Sequence, residues 1–95
     1  MEILKTKRNF NYTNFKDEYG NECSLQKSSS AMSDNIWLGI KNPKLVVFKD
    51  SNRGEYIETE MPDNFMVNAR MHLSIEQVKE LLPYLNKFVE TGDIE

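Results

Sequence analysis

Apolar and mixed residues alternate at period two through residues 65–73, and the period changes to three and four from Ile75 onward. Phe65, Val67, Ala69, Met71 and Leu73 fall on one face of the predicted strand; Met66, Asn68, Arg70 and His72 fall on the other. Ser74 is placed as a helix N-cap, with Gln77 at the position of a capping box and Leu73 and Val78 spaced for a hydrophobic staple. The helix carries an apolar stripe of Ile75, Val78, Leu81, Leu82, Leu85, Phe88 and Val89. Pro83 removes one backbone hydrogen bond and predicts a kink, and Gly92 suits a left-handed end. The odd-numbered strand face is expected to pack on this stripe, which leaves Asn68, Arg70 and His72 displayed together on the opposite face.

Upstream, residues 10–16 have strand composition, with the alternation slipping at Thr13 and Asn14 as at a bulge. Tyr19-Gly20-Asn21 signals a turn into a second strand at 22–27. A three-residue loop pairing Phe15 with Leu25 keeps the apolar residues on one face, and it predicts Gly20 or Asn21 in the left-handed region. Residues 28–35 are small and polar, hence loop-like. The apolar run at 36–40 predicts a central strand, Asn42-Pro43 ends it, and 45–48 and 55–60 form two further strands around a turn at 50–54. Met61-Pro62-Asp63-Asn64 fits a type I turn. The fold class expected is α+β: an antiparallel sheet of five or six strands with one C-terminal helix packed on one face. Residues 1–9 are expected to form a flexible N-terminal arm and 10–95 a single domain.

Size and composition narrow the setting. The chain has 95 residues, enough for one two-layer domain. No apolar run approaches a membrane span, and the first ten residues lack the apolar core of a secretory signal. A lone Cys23 excludes an internal disulfide and suits a reducing compartment, so cytoplasm is the expected location. The net charge of −3 is unevenly spread: eight basic against five acidic side chains up to Lys49, and four against ten from Asp50. Lys5, Lys7 and Arg8 with Phe10 and Tyr12 make too short a basic patch to predict nucleic-acid binding.

No catalytic or metal signature is present. One Cys and one His do not fill a zinc site, no acidic loop has the calcium-binding pattern, and no glycine-rich phosphate loop occurs. The sequence does not place His72 beside Cys23 or a serine, so nothing points to an enzyme, and no cofactor is expected. The candidate chemistry is binding. Arg70 offers a planar fork of donors for phosphate or carboxylate, with Asn68 and His72 two positions to either side. Lys27-Ser28-Ser29-Ser30 adds a cation, hydroxyls and backbone N–H groups that can form an anion nest, and Trp37 or Tyr56 can stack on a base.

Tyr19-Gly20-Asn21-Glu22-Cys23-Ser24-Leu25-Gln26-Lys27-Ser28-Ser29 and Ile36-Trp37-Leu38-Gly39 carry a resemblance, together with Arg70-Met71-His72-Leu73, Glu76-Gln77-Val78, Leu81-Leu82-Pro83, Phe88-Val89 and Thr91-Gly92. In these stretches the chain resembles a family of small proteins encoded by bacteriophages and prophages, across most of its length beyond residue 15. The resemblance implies a context, the cytoplasm of an infected bacterium, and no catalytic residues. It suggests a non-enzymatic anti-defence protein. The first expectation is a sponge that sequesters a cyclic nucleotide immune signal, with Arg70, Asn68, His72, Lys27, Ser28, Ser29, Ser30 and Trp37 as the ligand-binding set. A protein–protein inhibitor of a host defence complex, such as a CRISPR effector, is the alternative, and a structural phage protein without a small ligand is a third. A site of this kind in so short a chain implies a homodimer or higher oligomer.

Overall fold

A computed structural model describes residues 1–43, 45–50, 55–60, 63 and 67–95, with 45–50 and 55–59 described by their backbone pairing. The chain is α+β, with strands β1 (Leu4–Lys5), β2 (Asn11–Lys16), β3 (Glu22–Lys27), β4 (Asn35–Ile40), β5 (Leu45–Asp50), β6 (Glu55–Thr59) and β7 (Arg70–Ser74), followed by helix α1 (Ile75–Thr91). Five strands form one antiparallel sheet in the order β1-β2-β3-β4-β7, and β5 and β6 pair as a separate two-stranded hairpin. The turn expected at Met61-Pro62-Asp63-Asn64 and the strand start at Phe65 and Met66 lie outside the described residues.

Part of the segment expected as an N-terminal arm is held at the sheet edge. Leu4 and Lys5 pair with Tyr12 and Asn11, and the Thr13 hydroxyl donates to the Glu2 carbonyl at 2.8 Å. That bond accounts for the apparent slip in β2. Thr13 faces the apolar side of a regular ladder, buried with its hydroxyl satisfied, and no bulge is needed.

The β2–β3 register differs from the expected one. Phe15 pairs with Cys23 and Thr13 with Leu25, a shift of two residues that keeps every side chain on its expected face. The loop is three residues long, as expected, but it is Glu18-Tyr19-Gly20, closed by backbone bonds at Asp17: the Asp17 N–H donates to the Asn21 carbonyl at 3.1 Å and the Gly20 N–H to the Asp17 carbonyl at 3.0 Å. Gly20 takes the left-handed conformation at φ 85°. Asp17 selects this turn, because its carboxylate accepts from the Tyr19 N–H, the Asn21 N–H and the Asn21 side-chain amide. These bonds, led by the Asn21 side chain, hold the Asp17 carboxyl below its ordinary pKa.

Period-two alternation sorts the sheet into two faces. Phe15, Cys23, Leu25, Ile36, Leu38, Ile40, Met71 and Leu73 share the apolar face; Tyr12, Ser24, Gln26, Trp37, Arg70 and His72 share the other. The final strand is shorter than the sequence pattern suggests, beginning at Arg70. Its start is set by Gly39, at φ 149°, where a side chain would collide with the Ala69 carbonyl and the Arg70 Cα. The Ile40 N–H donates to the Ala69 carbonyl at 3.1 Å, so the chain enters the sheet by passing close over that glycine.

The helix ends match the sequence pattern. The Ser74 hydroxyl accepts from the Gln77 N–H, and the Gln77 side chain accepts from the Ser74 N–H, which completes the capping box. Gly92 is left-handed at φ 79°, and its N–H donates to the Phe88 carbonyl at 2.8 Å. Pro83 lies inside the continuous helix. No residue of α1 is buried. Ile75, Val78 and Leu82 border an open groove of about 330 Å³ with Ile36 and Leu73 of the sheet, and the rest of the stripe is exposed, Leu85 and Phe88 each 56 %.

Candidate functional site

The polar sheet face gathers chemistry from three strands. β4 places Trp37 between Gln26 of β3 and His72 of β7, because those residues are its direct cross-strand partners. The Trp37 and His72 rings stack, and the Arg70 guanidinium carbon lies 5.1 Å from the Trp37 centroid, within cation–π range. Arg70 also donates from one guanidinium nitrogen to the Gln26 side-chain oxygen at 3.3 Å. A guanidinium carries five N–H donors, and among the described residues Arg70 has no carboxylate partner.

His72 Nε2 lies 2.9 Å from the Ser28 hydroxyl oxygen. The Ser30 N–H donates to the same oxygen at 3.2 Å, which leaves the Ser28 hydroxyl proton available to His72. A serine and a histidine at this distance invite comparison with a nucleophile and base. Two features argue for a structural lock. Ser28 is buried with its oxygen already accepting, and among the described residues no carboxylate orients the His72 ring, which rests on Trp37.

Of the residues singled out from the sequence, Arg70, His72, Trp37 and Ser28 converge on this face. Asn68 does not join them: it precedes β7, outside the strand and exposed, because the close passage at Gly39 delays strand pairing until Arg70. Lys27 belongs to the opposite face. It pairs with Asp34 at 3.2 Å and borders the apolar groove. Ser29 and Ser30 are exposed, and the nest expected of this loop is partly closed by the Ser30-to-Ser28 bond. The side chain of Tyr56 lies outside the described residues.

Beside Arg70 the same face holds a depression of about 220 Å³ lined by Thr6, Tyr12, Ser24, Gln26, Lys41 and Arg70. Its floor is unusual. The Ser24 hydroxyl is buried without a hydrogen-bond partner among the described residues, in a residue that is 2 % exposed. An orphaned buried hydroxyl costs about 1–3 kcal/mol. Lys41 stands at the rim, its ammonium 5.9 Å from the Tyr12 ring centroid and 3.5 Å from the Asn14 side-chain oxygen. Two cations, a phenol and an unpaired hydroxyl therefore surround one concavity.

No family profile, characterised protein or solved structure matches the chain. The site rests on its geometry alone.

Sequence reasoning missed Ser24, Lys41 and Tyr12. Ser24 and Gln26 alternate with Cys23 and Leu25, so their common face was legible; their proximity to Arg70 depends on β4 lying between β3 and β7. Among the described residues, no three His, Cys, Asp or Glu side chains are grouped to hold a metal ion, and no helix is long and apolar enough to cross a membrane.

Proposed function

We propose that the protein binds a phosphate-bearing ligand of the nucleotide class on the polar sheet face and sequesters it without chemical conversion. The observation that carries this reading is the orphaned Ser24 hydroxyl beneath Arg70 and Lys41. A ligand oxygen reaching the depression floor would give this hydroxyl an acceptor after a small local opening, and the two cations favour an anionic ligand. At about 220 Å³ the depression suits a phosphate or phosphoribosyl group and is smaller than the 300–1,000 Å³ of ordinary ligand pockets. The remainder of the ligand then extends along Arg70 toward Trp37 and His72. With the phage resemblance, this is the role of a sponge for a cyclic nucleotide immune signal in the cytoplasm of an infected bacterium. The working form in this reading is a homodimer or larger, with each helix packed on one sheet face.

Isothermal titration with cyclic dinucleotides, cyclic trinucleotides and cyclic ADP-ribose isomers tests it. At least one should bind, and Arg70→Ala and Lys41→Ala should each weaken that binding about tenfold or more, the scale of a charge-assisted hydrogen bond. Silence across the panel, or unchanged affinity in both variants, removes the reading. The exposed apolar stripe of α1 favours a second reading, an inhibitor docked on a host defence protein.

A further inference from the structure

Among the described residues, nothing covers the apolar stripe of α1 or the apolar face of the sheet. Among the described residues only Thr13, Cys23, Ser24 and Ser28 are buried. On the sheet, Leu25, Ile36, Leu38, Ile40 and Leu73 are half-buried and Met71 is 54 % exposed; on the helix every residue but Val78 is exposed. Water-facing apolar surface on this scale is not the state of a lone domain.

The total area gives the magnitude. The chain exposes 8370 Å². A compact monomer of 11.1 kDa exposes about 5,700 Å². The excess, about 2,700 Å², is a whole-chain figure and exceeds the roughly 1,000–2,500 Å² that each partner buries in an obligate dimer, so the surfaces of α1 and the sheet need supply only part of it.

We infer that α1 of one copy lies across the apolar sheet face of a second copy, reciprocally, so that each helix supplies the missing layer of its partner. This deepens the oligomeric part of the proposed function and is independent of its ligand. Three observations select a second copy on the sheet over other arrangements. The two uncovered surfaces are complementary and occur on the same chain, so a two-fold arrangement in which helix meets sheet twice satisfies both. Their dimensions match: a 17-residue helix is about 26 Å long, and five strands span about 19–24 Å. A helix-to-helix dimer would leave both sheet faces wet, whereas reciprocal helix-on-sheet packing covers all four surfaces. Charge is compatible as well. Residues 75–95 carry five acidic groups against two lysines, and Lys5 and Lys27 stand on the apolar side of the sheet.

The test uses the full chain in two measurements. Sedimentation equilibrium at micromolar concentration should give twice the monomer mass. In a sample mixing labelled and unlabelled chains, isotope-filtered NMR should show contacts from the Phe88 ring of one copy to the Leu38 and Met71 methyls of the other. Leu85→Asp with Phe88→Asp should at least tenfold weaken association or unfold the chain. A monomeric wild type overturns the inference, and so does a dimer without those contacts; a helix stripe occupied only by a different protein also overturns it. Ligand binding by such a monomer would leave the proposed function standing.

Discussion

The rings of Trp37 and His72 stack across the β4–β7 pair with centroids 4.1 Å apart and planes inclined by 28°. The contact joins the last strand to the sheet on its polar side, and the Ser28 hydroxyl fixes the far end of the imidazole. His72→Ala loses both the stack and the hydrogen bond, and should destabilise the fold by about 1–3 kcal/mol. His72→Phe keeps an aromatic neighbour for Trp37 and loses only the bond, so it should cost about 1 kcal/mol. Urea denaturation of the two variants checks the order. Equal losses would mean that the stack contributes nothing.

Gly39 should be the least replaceable residue of the sheet. Its φ of 149° and the Ala69 carbonyl above it leave no room for a methyl group. Gly39→Ala strains the backbone and pushes β7 away from β4, at a cost of about 2–4 kcal/mol. Since Arg70 is the residue opposite Gly39, the same change should displace the guanidinium from Trp37. Thermal unfolding reads the first effect, and the chemical shift of the Trp37 indole N–H the second. A variant as stable as wild type would show that the close passage is not required.

Ser24 separates binding from stability. Its hydroxyl has no partner among the described residues, so Ser24→Ala removes an unsatisfied buried group and should leave the ligand-free protein as stable as wild type or up to about 2 kcal/mol more stable. The same variant should bind a phosphate-bearing ligand about tenfold more weakly. Melting temperature and titration together make the measurement. A destabilised variant with unchanged affinity would mean that the hydroxyl serves the fold.

How far the sequence reached depends on the range of each signal. The helix was legible to the residue, because Ser74, Gln77 and Gly92 act through bonds that span at most four positions. The β2–β3 hairpin was legible in loop length and facing, but not in register. A shift by two preserves the apolar face, and the choice was made by the Asp17 carboxylate binding the turn. Arg70 and His72 could be placed on one face from period two alone, whereas their meeting with Trp37 and Ser28 required the strand order across the sheet. Asn68 was assigned to that face by extending the alternation too far; the approach to Gly39 ends the strand first. The apolar stripe of α1 announced that something must cover it, yet periodicity carries no information about which chain does so.

Asp17 gives the hairpin a pH dependence whose sign is fixed. Its folded pKa lies below the ordinary 3.8, because the Asn21 side chain, then the Asn21 backbone, hydrogen-bond to the charged carboxylate. A carboxyl with a depressed folded pKa stabilises the fold fully above its unfolded value, and that contribution is lost as pH falls through the lowered folded value. Asp17 is half-buried at the surface, where solvent reaches its carboxylate, so the effect is local and screened. Asp17→Asn keeps one acceptor oxygen and loses the charge. Wild type should therefore melt above the variant near neutral pH, and the gap should close on acidification from about pH 4 downward. Melting curves of both proteins between about pH 2 and 7 read this directly. A gap that stays constant through the acid range would show that the turn is held by geometry and not by the ionised carboxylate.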